Sequence, residues 1–288
     1  MCLACQKETP ENTIEITDHF LSQENFRVTF CATCQLGRTN MDSNKDLAQY
    51  YASDEYISHG TTKAGLFEQL YQTARKFTLR QKSRIIGANT GTRLDILDYG
   101  CGTGDFLAFL KNRGHSVYGV EPGAKPRKIT EHKIGHTAYS SLREILPDQK
   151  FDIITLWHVL EHVANPLQTL EELTALLKPQ GQLIVAVPNH KSEDCRYYKS
   201  QWAGYDVPRH LWHFSQTALQ KIAAQTPLQQ NKVLPMKLDA FYVSLLSEKY
   251  KGRSGLTQWV NGFITGLRSN LKARQTGEWS SLIYTFTK

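Results

Sequence analysis

The 288-residue sequence lacks any long apolar run. No stretch of about 18 consecutive apolar residues occurs, and the mean hydropathy is −0.43. A membrane-spanning helix needs about 20 such residues, so we predict no transmembrane segment. The first residues, Met-Cys-Leu-Ala-Cys, also lack the basic and apolar stretches of a secretory signal. We therefore expect a cytoplasmic protein.

Acidic residues are fewer than basic ones. The chain has 27 Asp and Glu against 34 Lys and Arg, which gives a net charge of +7. This balance favours an anionic partner without distinguishing a sugar nucleotide, a nucleic acid or a lipid surface. There is no internal repeat and no low-complexity tract. An apolar content of 40% is enough for one large or two small folded domains.

Cysteine is scarce, but four of the six cysteines form two C-x-x-C pairs. In a reducing compartment such pairs bind metal more often than they form disulfides. Two β-like runs, 13–16 and 26–30, would form a hairpin that brings the pairs together. We predict a zinc ribbon over residues 1–36, in which the metal supplies the folding free energy. The predicted ligands are Cys2, Cys5, Cys31 and Cys34.

Residues 37–92 are predicted to be a helical linker. Tyr50, Tyr51 and Tyr56 precede apolar residues that recur at helical spacing from 66 to 77. The tyrosines would pack on the next domain. A second interpretation, in which this segment is a lid over a cofactor, stays open.

The stretch 94–106 predicts a small-molecule site at the start of a domain that covers 93–288. An apolar run ends at Asp98, and three glycines then lead into an apolar helical pattern. Glycine allows positive φ and close approach of the backbone to a ligand, and a helix N-terminus offers unpaired N–H groups. The third glycine is at 104, where a dinucleotide fingerprint would need it at 105. Asp98 and Asp105 would repel a pyrophosphate but suit a ligand that carries an ammonium group.

The string DYGCGTG at 98–104 resembles motif I of the class I S-adenosylmethionine-dependent methyltransferases. The resemblance implies that the glycine turn lies against the methionine part of the cofactor. It also implies that an acid at the end of the second strand holds the ribose hydroxyls, and Glu121 is about 20 residues beyond the turn. The implied cofactor-binding residues are Asp98, Gly100, Cys101, Gly102, Gly104, Glu121, Pro122, Trp157 and His158.

Strands and helices alternate through the rest of the domain. This pattern predicts an α/β fold with a doubly wound, mainly parallel, seven-stranded Rossmann-like sheet, preceded by the zinc ribbon. A turn is predicted at 178–181, and the last strand is predicted to be antiparallel. Ligands bind such sheets outside the carboxyl ends of the strands. The predicted strands are 94–97, 116–120, 136–139, 151–156, 182–189 and 282–286.

The string FDIITLWHVLEHV at 151–163 resembles motif II of the same family, especially of its ubiquinone-pathway O-methyltransferases. His158 and His162 are four residues apart, which suggests a metal pair, but no third ligand is apparent in the sequence. We therefore interpret His162 as structural and expect His158 beside the cofactor.

Residues 190–215 are the predicted acceptor loop, since they combine aromatic, basic and histidine side chains after a strand. The string HLWHFS at 210–215 is similar to H-L-x-x-F-S of deoxysugar C-methyltransferases, which also carry an N-terminal zinc module. The resemblance implies that His210 is the base, and His213 or Tyr205 in the same loop could substitute for it. Those enzymes usually have Glu where this chain has Arg209. The other interpretation of His210 is a histidine bound by a backbone carbonyl.

Apolar residues at helical spacing from 256 to 271 predict a helix that packs on the core, in preference to one on a membrane surface.

These patterns predict S-adenosylmethionine-dependent methyl transfer to an anionic or sugar-like small molecule, such as a sugar nucleotide of polysaccharide or secondary-metabolite synthesis. One alternative is RNA base methylation, which the zinc module and basic charge allow. However, no segment outside the acceptor loop combines a basic stripe with stacking aromatics. The other alternative is a non-catalytic cofactor-binding scaffold with the ribbon as an interaction module, which the intact set of Asp98, Gly100, Gly102 and Glu121 disfavours.

Overall fold

The computed structural model describes residues 1–8, 11–41, 46–51, 78–88 and 91–288. Tyr56 and the predicted helix at 66–77 lie outside these residues. The chain forms two compact units, and neither is continuous in sequence. Unit 1 comprises Met1–Ala52, His158–Leu170 and Val185–Thr285. Unit 2 comprises Ser53–Trp157, Glu171–Ile184 and Phe286–Lys288.

Unit 1 contains a four-stranded sheet in the order β1-β2-β3-β8. Its strands are β1 (Glu11–Thr17), β2 (Asn25–Cys31), β3 (Gly37–Asn40) and β8 (Trp212–His213). The predicted hairpin is confirmed, because β1 and β2 are antiparallel with Thr17 opposite Asn25. β3 in turn pairs with β8, with Gly37 opposite His213. The ribbon and the predicted acceptor loop therefore share one sheet.

A six-stranded sheet has the order β5-β4-β6-β7-β10-β9. β4 is parallel to β5 and to β6, as predicted for a doubly wound fold. Asn189 N donates to Ser280 O, and Lys288 N donates to Gly181 O, so β10 runs antiparallel to β7 as predicted. The strands are β4 (Asp95–Tyr99), β5 (Ser116–Val120), β6 (Phe151–Trp157), β7 (Leu177–Pro188), β9 (Gln229–Pro235) and β10 (Ser281–Thr287).

Three details of the predicted sheet are wrong, and the first is the number of strands, which is six among the described residues where seven were predicted. The strand expected at 136–139 is only a single parallel bridge between Tyr139 and Val120, since the segment His-Thr-Ala-Tyr offers little apolar surface to bury. The turn expected at 178–181 is part of β7. Gln180 has a φ of 64° within this strand, and Lys178 Nζ binds Asp95 and Asp152 at 2.7 and 2.9 Å.

Helices connect the strands. At the start of α4, the Asn165 side chain accepts from Gln168 N at 3.2 Å and Pro166 takes the first helical position, as the sequence predicts. The helices are α1 (78–85), α2 (Asp105–Lys111), α3 (Ala124–Ile134), α4 (Pro166–Ala175), α5 (Glu193–Tyr198), α6 (Gln216–Ala223), α7 (Asp239–Tyr250) and α8 (Gly255–Thr276).

The core-packing prediction for the apolar residues of α8 is wrong. The helix packs on α7 through small residues, because a Cβ at Gly262 or Gly266 would lie about 3 Å from the Cα of Leu245 or Phe241. The large apolar side chains on its other positions are 43–78% exposed: Leu256, Trp259, Val260, Phe263, Ile264, Leu267 and Leu271. Among the described residues, no helix is long and apolar enough to cross a membrane.

Candidate active site

The glycine turn at the end of β4 has the positive φ angles that its sequence predicts. Gly100, Gly102 and Gly104 have φ of 74°, 56° and 72°. A Cβ at Gly104 would lie 2.9 Å from the Thr130 Cα, so no larger residue fits there. A Cβ at Gly102 would meet nothing within 4 Å. The turn is therefore closely packed where α2 begins and open at Gly102, where a ligand could lie against the backbone.

Glu121 is tied to this turn. Its Oε2 accepts from Gly102 N at 2.9 Å, and its Oε1 accepts from Gly123 N at 2.8 Å. A carboxylate has about four acceptor positions, so the two that remain can receive hydroxyl donors. The neighbouring Pro122 is exposed. The turn and the predicted ribose-binding acid thus form one hydrogen-bonded arrangement.

Two other residues of the predicted cofactor site have largely buried side chains. Asp98 is 4% exposed and accepts from Thr155 Oγ1 at 2.6 Å, and burial raises the pKa of Asp98 to about 6. The Cys101 side chain packs against Gly119 and Thr130, and burial raises the pKa of its thiol to about 12. Cys101 can therefore contact a cofactor only through its backbone.

Trp157, the last residue of β6, has a buried indole N–H. Its ring meets Phe106 edge-on at 5.8 Å, and Lys82 Nζ lies 4.4 Å from the ring centroid. Its Nε1 is buried and has no hydrogen-bond partner among the described residues. A buried donor without a partner costs about 1–3 kcal/mol, so a ligand that accepts from this N–H would recover that free energy.

His210 is the predicted base that has an available nitrogen. Its Nδ1 lies 3.0 Å from Gly204 O, so the expected carbonyl bond is present. Its Nε2 faces Glu161 Oε1 at 4.0 Å and Asp206 Oδ2 at 3.9 Å. The backbone bond leaves the lone pair on Nε2, directed at carboxylates.

His213 and Tyr205 are core residues of unit 1. His213 Nε2 lies 2.9 Å from Thr39 Oγ1, and burial lowers the pKa of His213 well below its usual value. Tyr205 accepts from Cys195 Sγ at 3.4 Å, and burial raises the pKa of its phenol. Both rings pack near Phe30. Their predicted role as substitute bases finds no support in this packing.

His158 and His162 lie in different surroundings within unit 1. His158 Nε2 is 3.0 Å from Asp239, and its Nδ1 is 3.3 Å from Glu161. Burial opposes its charge, but these two carboxylates outweigh burial and raise the pKa of His158 to about 10. Burial and the nearby His210 lower the pKa of His162 to about 4. The position of His158 beside a cofactor stays a prediction.

Arg209 has a role that the sequence did not reveal. It is fully buried, and its Nη2 donates to Asp18 at 2.8 Å and to Asp206 at 2.7 Å. It therefore ties the loop after β1 to the acceptor loop. The spacing of three residues could have indicated the Arg209–Asp206 pair. The Arg209–Asp18 pair left no signal in the sequence, because the two residues are 191 positions apart.

The four cysteines of the C-x-x-C pairs lie together. Their sulfurs are within 4.8 Å of one another, and the Cys2–Cys34 and Cys5–Cys31 pairs are 3.5 and 3.7 Å apart. Sulfurs about 2.3 Å from a tetrahedral zinc would be about 3.8 Å apart, so the residues fit this metal.

The two cysteine pairs have the same backbone turn. Gln6 N donates to Cys2 O, and Gln35 N donates to Cys31 O, both at 2.9 Å. Gln6 and Gln35 also share the left-handed conformation, with φ of 55° and 60°. Two matching turns present the four thiols to a common centre.

A family model described as "Methyltransferase domain" matches residues 67–229. The chain belongs to this methyltransferase family. The ubiquinone biosynthesis O-methyltransferase of Aeromonas salmonicida is 28% identical over 161 residues, which are 52% of this chain and 65% of that protein. The protein of the same name from Bradyrhizobium diazoefficiens is 33% identical over 102 residues, which are 33% of this chain and 40% of that protein. The methyltransferase chain thus spans less than two thirds of these relatives.

Solved structures support the predicted fold. The magnesium protoporphyrin IX methyltransferase of Synechocystis PCC 6803, with bound SAH, has a TM-score of 0.54 at 14% identity, over 83% of this chain and 97% of that one. A putative sarcosine dimethylglycine methyltransferase from Galdieria sulphuraria has a TM-score of 0.52 at 16% identity, over 75% and 86%. The predicted family and the mainly parallel α/β fold of the methyltransferase are confirmed.

The Asp98→Asn variant of this methyltransferase is expected to be more stable at pH 7.5 and to bind the cofactor less tightly. Because the folded pKa of Asp98 is about 6, above its usual 3.8, its charge destabilises the folded state increasingly as pH rises from 4 to 6. The gain should reach up to about 3 kcal/mol at pH 7.5 and vanish near pH 4. Urea unfolding at both pH values measures it. The exposed Asp148→Asn is the control, and an Asp98→Asn gain that does not change with pH would contradict the explanation.

Proposed function

We propose that the protein transfers the methyl group of S-adenosylmethionine to a small-molecule acceptor. The observation that carries the proposal is the glycine turn, which is open at Gly102 and bonded there to Glu121. Glu121 has acceptor positions left for the ribose hydroxyls. The carboxylate of Asp98 before the turn suits the ammonium group of the methionine part, and the buried Trp157 N–H can donate to the cofactor.

The sulfonium methyl is already an activated electrophile. In the reaction its C–S bond breaks, the electron pair stays on sulfur, and the methyl carbon bonds to a lone pair of the acceptor. When the acceptor is a hydroxyl or a carbon acid, it must also lose a proton. We propose that His210 takes this proton from the acceptor. Its Nδ1 is held by Gly204 O, and its Nε2 has no hydrogen-bond partner among the described residues.

We propose a sugar or sugar nucleotide as the acceptor. The HLWHFS string at 210–215 and the net charge of +7 support an anionic, sugar-like molecule. The relatives act, by name, in ubiquinone biosynthesis, which favours a phenolic hydroxyl instead. Turnover with nucleoside-diphosphate deoxysugars and with simple phenols in parallel separates the two classes. Methyl transfer to phenols alone would overturn the sugar assignment.

We also propose that Cys2, Cys5, Cys31 and Cys34 bind one structural zinc ion. Four thiolates leave no open position on a tetrahedral ion, so the zinc would stabilise the ribbon and take no part in the reaction. The matching turns at Gln6 and Gln35 support this role.

The cofactor assignment predicts the effect of Glu121→Gln. Glutamine keeps one acceptor oxygen but loses the charge, so the variant should lose the equivalent of one charge-assisted bond, about 1.5–3 kcal/mol, and S-adenosylmethionine should bind roughly 10- to 100-fold more weakly. Isothermal titration calorimetry measures this change, and Glu171→Gln, at an exposed position of α4, should bind like the wild type. A wild-type protein that does not bind the cofactor would overturn the proposed function.

A further inference from the structure

Glu161 is a buried carboxylate without hydrogen bonds. It is 1% exposed, and neither carboxylate oxygen has a hydrogen-bond partner among the described residues. His158 Nδ1 lies 3.3 Å from Oε1, close enough for an ion pair but without hydrogen-bond geometry. Buried charges in proteins are normally paired and hydrogen-bonded or coordinate a metal, so this carboxylate lacks part of its natural environment.

Two histidines near Glu161, His162 and His210, each have Nδ1 beside a backbone carbonyl. His162 Nδ1 lies 3.0 Å from both Arg209 O and the Tyr51 hydroxyl, and His210 Nδ1 lies 3.0 Å from Gly204 O. A carbonyl oxygen only accepts and a hydroxyl can accept as well, so a hydrogen on each Nδ1 fits these contacts and leaves the lone pair on each Nε2. Histidines that ligate metals are held in the same way, by a backbone carbonyl on the other ring nitrogen.

We propose that Glu161, His162 and His210 bind a divalent transition-metal ion. One ligand atom from each of these residues lies within 4.8 Å of the others. Ligands about 2.1 Å from a common ion are at most about 4 Å apart. Side-chain rotations that move the ligand atoms by less than about 1 Å would therefore bring them to coordination distance. Two imidazoles and one carboxylate suit a first-row divalent ion and leave coordination positions open.

The charges around this cluster also favour a cation. Four carboxylates belong to the ion-pair network that includes Glu161 and His210, and among the described residues the cationic side chains paired with them are His158 and Arg209. Two negative charges remain even when His158 is counted as protonated. The four carboxylates belong to Asp18, Glu161, Asp206 and Asp239.

The inference rests on the proposed function and sharpens the role of His210. As a ligand, its Nε2 holds the ion and does not itself take the proton. An ion in this position would polarise a hydroxyl bound to it, and that hydroxyl would lose its proton to solvent. The sequence suggested His158 and His162 as a metal pair. The structure instead joins His162 with Glu161 and the distant His210, while His158 turns to Asp239.

Manganese binding tests the site without catalysis. The zinc-loaded protein is titrated with Mn²⁺, and free Mn²⁺ is read from its electron paramagnetic resonance signal; thiolate sites do not favour this ion. We expect one Mn²⁺ per chain. Glu161→Gln and His210→Asn should each weaken binding at least tenfold. His132→Ala, an exposed position of α3, should leave it unchanged.

Circular dichroism and S-adenosylmethionine calorimetry on the same samples separate the possible failures. A folded wild type that binds no Mn²⁺, or folded Glu161→Gln and His210→Asn variants that bind it as tightly as the wild type, would overturn the metal site. If either variant unfolds, His162→Gln serves as the next test with the same criterion. Mn²⁺ binding without cofactor binding would instead overturn the proposed methyl transfer and leave the metal site standing.

Discussion

Replacing Cys31 with serine is expected to remove the zinc and unfold the ribbon. The four cysteines lie before β1 and at or after the end of β2, so the metal would hold both ends of the hairpin, and structural zinc supplies roughly 10–16 kcal/mol of apparent binding free energy in zinc-finger peptides. The loss should spread to the acceptor loop, because β3 pairs with β8 and Thr39 Oγ1 donates to His210 O at 2.7 Å. Metal analysis and thermal unfolding measure both effects.

A second buried cysteine provides the control. Cys101 lies in unit 2, outside the four-cysteine group, so Cys101→Ser should keep one zinc per chain. A Cys31→Ser protein that retained both its zinc and the melting temperature of the wild type would contradict the ribbon assignment.

Replacing Arg209 with methionine is expected to cost about 3–5 kcal/mol of unfolding free energy at pH 7. The methionine fills a similar volume, but Asp18, which is 1% exposed, loses its charge partner and Asp206 loses three hydrogen bonds. The unfolding free energy of Arg209→Lys should lie between those of Arg209→Met and the wild type. Lysine keeps the positive charge but lacks the planar guanidinium group that binds two carboxylates. Urea unfolding gives the difference, and wild-type stability in Arg209→Met would show that the network is not needed.

The same network predicts an acid dependence. Burial alone would raise the pKa of Asp18, but Arg209 and the amide of Ser22 outweigh burial and lower it. A folded pKa below the unfolded value of 3.8 stabilises the protein above about pH 4, and this contribution is lost as pH falls through the folded pKa. The difference in stability between wild type and Arg209→Met should therefore shrink below pH 4.

Features that depend on local chemistry could be predicted from the sequence. The turn at Gly100–Gly104 requires positive φ at three glycines, and β2 buries alternate residues, so both leave a pattern in consecutive letters. Glu121 could be found because the second strand ends at a fixed distance from the turn.

Features that depend on distant partners could not be predicted. Arg209 is 191 residues from Asp18, and His210, which lies beside Glu161 and His162, comes from a distant segment. In α8 the expectation that large apolar residues are buried failed, because a close helix contact requires small residues such as Gly262 and Gly266. Which face of a helix is buried depends on its neighbour as well as on its own hydrophobic pattern.

The pairing of β3 with β8 also sets an order of events during synthesis of the chain. Thr39 and His213 are 174 residues apart, and at about 5–20 residues per second the ribosome needs roughly 9 to 35 s to make the segment between them. Throughout that time β3 has an open edge, where strands of other chains could add. The four cysteines are all made within the first 34 residues. Bound metal can therefore hold the β1–β2 hairpin in its native register until β8 arrives to cover it.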